Sequence, residues 1–216
     1  MENKKYEILE DDFILHEGRK LYRIRAIEDV RDGDELVVCG GDLGGYVESY
    51  HNLSQKEGCW IYDEAKVYGN ARIEEGAFVC KEAEVYGNAV IRGSAAVDGN
   101  SKIYGNARIS YHSYVCDSEV YGNAVIKGTA GIKDFCKIYG NSAILRGGIY
   151  IENHNFIHGN VIIGDSKFGN ERIELNCNVD ISGNSTIRGN KSKVYKSNLS
   201  SFNISGSSQI VNKIFP

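Results

Sequence analysis

The chain has 216 residues, 42% of them hydrophobic, and a formal net charge of −4 from 25 Lys and Arg against 29 Asp and Glu. That is enough apolar material for a sizeable core. It is too acidic a balance for a general nucleic-acid binder, which needs a basic excess to displace counterions from phosphates. No apolar run of about 18 residues could span a membrane. The opening MENKKYEILEDD lacks the apolar stretch of a secretory signal, so a cytoplasmic location is expected. The six cysteines, at 39, 59, 80, 116, 136 and 177, show no CxxC pair and no metal-ligand spacing, and read as reduced thiols. Twenty-five glycines stand against one proline. Proline removes a ladder donor, so its scarcity suits a chain that is mostly continuous β-structure.

Residues 1–57 read as a small β cap. Tyr22, Ile24 and Ala26 alternate with Arg23 and Arg25, which predicts a strand. Its partner is 5–10 or 12–16, joined through the turn residues Glu17 and Gly18. A repeat follows. Tyr-Gly-Asn begins at Tyr68, Tyr86, Tyr104, Tyr121 and Tyr139, at intervals of 18, 18, 17 and 18. Beneath it, aliphatic residues recur every six positions from Ile61 through Val115, and again from Val120 through Ile144 after one deletion. A small residue, mostly alanine, sits two places before most of them. Steps of six put successive aliphatics about 240° apart on a helix, so no helical face forms. A triangular solenoid fits. Each hexad supplies one short strand and one corner, three hexads close a coil, and the aliphatic and small residues both point inward. Gly-Asn occupies a corner, where positive φ is cheap for both types. The predicted fold is a left-handed parallel β-helix, regular over 58–146 and continuing irregularly through 147–216.

The strict register allows each outer face to be read. The first carries Lys66, Glu84, Lys102, Glu119 and Lys137 in one column and the five tyrosines in the other. This predicts a charge ladder and a tyrosine ladder, or alternatively a flat aromatic platform for a ligand ring. The second carries Arg72, Arg92, Arg108 and Lys127, with Arg146 following, in a chain that is acidic overall; these are the candidate anion-binding residues. The third carries Trp60, Tyr62, Phe78 and Tyr114 where water is expected, so either the cap or another subunit covers it.

The segments LYRIRAIEDV (21–30), GDLGGYVES (41–49), NLSQ (52–55) and Gly58-Cys-Trp-Ile-Tyr-Asp63 leading into YGNARI resemble the YdcK-like family of bacterial and phage β-helix proteins, over about residues 5–145. The resemblance implies the fold, an N-terminal cap and self-association, and transfers no catalytic residue. It fades after Ile144, where the YGNA repeat decays.

Three functions are open from sequence. The first is a non-enzymatic binding scaffold, a homotrimer with side-by-side subunits, holding an anionic small molecule such as a signalling nucleotide, or a host protein, in an inter-subunit groove. The second is an acyltransferase using His112 as base, although no insertion interrupts the coils to build an acyl-donor pocket. The third is a purely structural self-associating module. A zinc site shared by His112, His154 and His158 is disfavoured by their separation. Ice binding is rejected because Thr129 and Thr186 are the only threonines. No cofactor and no metal is expected.

Overall fold

The computed structural model describes residues 4–164, 172–176, 179–188, 192–194, 202–204 and 209–211. These residues form a three-sided parallel β-helix continued from a β cap. Among them there is no helix, and so none long and apolar enough to cross a membrane.

Three internal columns carry the core. The first pairs Val47, Val67, Val85, Ile103, Val120, Ile138, Ile157, Ile181 and Ile204 rung by rung in parallel. The second runs Leu53, Ile73, Ile91, Ile109, Ile126, Ile144, Ile163, Ile187 and Ile210. The third runs Ile61, Val79, Val97, Val115, Ile132, Ile151, Leu175 and Val194. From Val47 to Ile187 these side chains are buried, as are the small residues Ala65, Ala71, Ala77, Ala83, Ala89, Ala95 and Ala107 between them. Each buried aliphatic contributes roughly 1.5–3 kcal/mol, and only because the next rung covers it. At the skipped position Asp117 takes positive φ (47°), and Ser118 fills the inward place an alanine holds elsewhere, its Oγ donating to the Cys116 carbonyl at 2.9 Å.

One boundary differs from the sequence reading. The coil begins near residue 43 rather than 58, because Val47 and Leu53 already occupy the first two columns. The eight-residue step from Leu53 to Ile61 hides this start from a search for sixes. At the other end the Gly-Asn corner persists beyond Asn141, as Gly159-Asn160 and Gly183-Asn184.

The cap continues the first face's sheet. Tyr6–His16 pairs antiparallel with Arg19–Ala26, with a bulge between Ile8 and Phe13; the second strand then pairs with Leu43–Val47, which lies parallel to Lys66–Val67. Both alternatives for the partner of the 21–27 strand are therefore one strand. An uncovered first coil would expose an open core. Tyr6, Ile24, Ala26, Val30 and Val38 close it. Lys5, 6% exposed, locks the closure by donating to the carbonyls of Cys59 (2.8 Å), Glu57 (3.1 Å) and Lys56 (3.3 Å).

Candidate functional site

The first face pairs many of its outer groups with one another. Tyr68, Tyr86, Tyr104, Tyr121 and Tyr139 stack at centroid separations of 4.7–5.0 Å with interplanar angles of 2–6°, and His158 continues the column at 4.8 Å. Parallel rings that close together overlap face to face. Each ring is partly covered by its neighbours in the column, and Tyr86, Tyr104, Tyr121 and Tyr139 are half-buried. The expected tyrosine ladder is present, and its stacking leaves less ring surface for the alternative, a platform for a ligand ring. The upper end is closed by His16, edge-on to Tyr68 at 5.3 Å, and by the Arg19 guanidinium, which also pairs with Glu48 at 2.8 Å. Beside the rings, each asparagine amide donates to the next: Asn70 to Asn88, then Asn106, Asn123, Asn141, Asn160 and Asn184, at 2.8–3.0 Å. The charges pair too, Lys137 with Glu119 at 2.9 Å and Lys102 with Glu84 at 3.9 Å.

The third face is partly covered by the cap. Trp60 is fully buried against Tyr6, and the Tyr62 hydroxyl donates to the Val37 carbonyl, so Trp60 has no surface for another subunit. Phe78 (38% exposed) and Tyr150 (40%) remain open, while Tyr114 is half-buried. Below Phe78 lies a network centred on Asp98. Burial alone raises an acid, but hydrogen bonds from Lys81 (3.0 Å), Tyr114 (2.9 Å), the Gly99 amide (2.7 Å) and the Cys80 thiol (3.3 Å) outweigh it and hold Asp98 at about 2. Burial and the Asp98 carboxylate push the Cys80 thiol up to about 12, and burial raises Cys116 as well. Both are protonated thiols at neutral pH and poor nucleophiles. The five described cysteines are unbridged; Cys177 lies outside the described residues.

The second face is built differently. Its outward columns are Arg72–Val90–Arg108–Val125–Ala143 and Glu74–Arg92–Ser110–Lys127–Leu145. Arg72 leaves the predicted set: it pairs with Glu74 at 3.3 Å and lines a cleft of about 440 Å³ that also holds Glu57 and Glu75. Arg92 and Arg108 are exposed and, among the described residues, contact no carboxylate. Lys127 lies over the ring of Tyr111 at 5.1 Å. The side chain of Arg146 lies outside the described residues. Tyr111, 52% exposed at a corner of positive φ (66°), and Ser110 were not singled out by sequence reasoning. The register alone could have found both, since Ser110 is one rung from Arg92 and from Lys127.

No protein-family model and no curated protein matches the chain. The residues must therefore carry the assignment.

His112 follows Tyr111 at the same exposed corner, its backbone amide donating to the Gly128 carbonyl at 3.1 Å. Among the described residues no acceptor orients its ring, as a general base requires. Neither the cleft beside Arg72 nor that of about 280 Å³ around Lys102 and Phe135 is lined by His112. The three histidines stay apart: His158 is in the aromatic column, 3.1 Å from Asp180, and His154 stacks on Phe135. Among the described residues no group of three His, Cys, Asp or Glu side chains is placed to hold a metal ion.

Proposed function

We propose that this protein is a binding scaffold whose second face takes an anionic small molecule, a nucleotide being a representative one. The observation that carries the reading is the contrast in pairing. Lys81, Lys102, Lys137 and Arg72 each have a carboxylate, whereas Arg92 and Arg108 stand on successive rungs of a rigid sheet without one. An acidic chain that leaves two neighbouring guanidiniums unmatched presents a local positive field to an incoming anion. Arginine suits the task, since its planar fork matches oxyanion geometry and is weakly hydrated.

Calorimetric titration of the full chain with a panel of nucleotides and inorganic anions tests this. Binding should be lost in the Arg92→Glu, Arg108→Glu double variant, with the melting temperature retained. Binding that survives the double variant refutes the reading. Self-association through the open part of the third face, around Phe78 and Tyr150, is the arrangement by which a groove would form beside these cations. Light scattering on a Phe78→Lys variant tests that separately: a trimer should fall to a monomer.

A further inference from the structure

Resting on the anion-binding reading, the geometry points to a single seat within the second face: a recess floored by Ser110 that takes the dianion of a phosphomonoester or of free phosphate.

Ser110 is a short side chain set among the longer Arg92, Arg108, Tyr111 and Lys127. Along the sheet Arg92 lies one rung before it and Lys127 one rung after, about 4.8 Å away on each side. Along its own strand, Arg108 is two residues back and therefore projects to the same side. Tyr111 closes the corner and holds Lys127 in place across its ring. A small hydroxyl residue is thus walled on three sides by cations. It is only 7% exposed although it faces outward, which measures how far the surrounding side chains rise above it.

Two further observations select the ligand. The carbonyl of Ser110 accepts from Ser113 Oγ at 2.8 Å, but among the described residues its own Oγ has no partner and can donate into the recess. Glu74, two rungs before Ser110 in the same column, is paired with Arg72, and Glu75 accepts from the Gly93 amide at 2.7 Å. Three cationic donors and one hydroxyl converging from different directions match a tetrahedral group carrying two charges better than a planar carboxylate, which one guanidinium satisfies. The exposed edge of Tyr111 leaves room for the organic part of a monoester.

Calorimetry of the full chain with inorganic phosphate, methyl phosphate and acetate tests the site. Both phosphates should bind, and the affinity of each should rise as the pH passes its own second pKa, about 6 for the monoester and higher for the free ion. Acetate should bind at least about tenfold more weakly. Ser110→Ala should lose about ten- to hundredfold, one hydrogen bond to a charged acceptor. Ser110→Asp, which places a carboxylate in the recess, should abolish phosphate binding without lowering the melting temperature. If Ser110→Asp binds phosphate like the parent while Arg92→Gln weakens it, the anion sits elsewhere on the face; the Ser110 seat falls and the broader reading stands. Loss of all anion binding in the parent overturns both. Equal affinity for methyl phosphate and free phosphate identifies the phosphoryl group as the whole determinant. A preference for the free ion over the ester overturns the monoester.

Discussion

The first and second faces hang from the same backbone, rung for rung, and differ in what their outer side chains do for each other. On the first face every ring has a ring beneath it, every described amide a neighbour, and Glu84 and Glu119 a lysine each. On the second face Arg92, Arg108 and the Ser110 hydroxyl have none of this. The lesson is that a solenoid can stabilise itself through one surface and leave another chemically unsatisfied. The first kind of surface should report in stability and the second in binding.

Substitutions can break that distinction. The largest effect is expected at Tyr104, which stacks on both Tyr86 and Tyr121. Tyr104→Ala removes two ring contacts of about 0.5–1.5 kcal/mol each, so urea unfolding should show a loss of about 1–3 kcal/mol and no change in anion affinity. Next comes the Asp98 network. Its carboxyl falls from 3.8 to about 2 on folding, so its contribution is present above pH 4 and disappears as the pH falls toward 2. Asp98→Asn should remove up to about 2 kcal/mol at neutral pH and flatten the acid limb of a stability–pH curve between those values. Asn106→Ala interrupts the amide ladder between Asn88 and Asn123 and should cost about 0.5–1.5 kcal/mol by the same unfolding assay. The smallest stability change is expected for Arg92→Gln, within about 0.5 kcal/mol, although phosphate binding drops. A large loss of stability in Arg92→Gln would erase the contrast between the faces.

Much of this was legible in the sequence. The aliphatic columns follow from a period of six, because inward and outward positions alternate along each hexad, and the pairing of Val67, Val85 and Ile103 is as predicted. The tyrosine column and the alternating charges were readable for the same reason. Contacts between distant segments were not. Trp60 looks solvent-facing by register, and only the folding-back of Tyr6 buries it. Likewise nothing local marks Lys5 as an ammonium bound by the carbonyls of residues 56, 57 and 59. Ring orientation was also hidden: a column of tyrosines reads the same whether the faces point outward or onto one another. The basic face was visible as a list of cations. Its division into Arg72, neutralised by Glu74, and Arg92 with Arg108, unmatched, needed coordinates. Ser110 was readable as an outer position between Arg92 and Lys127, but its burial and its unpartnered hydroxyl needed coordinates.

The corner glycine at Gly105 shows how tightly the rungs interlock: its φ is +69°, and a Cβ there would lie 2.9 Å from the Gly122 nitrogen. Because that packing recurs coil after coil, the protein is close to a ruler from which a whole division can be cut. Excising residues 86–103 would bring Tyr104 directly beneath Tyr68 and restore an unbroken tyrosine file. The same cut would set Glu74, not Arg92, above Ser110. The framework is indifferent to translation by one turn, whereas the proposed recess depends on which turn lies above Ser110.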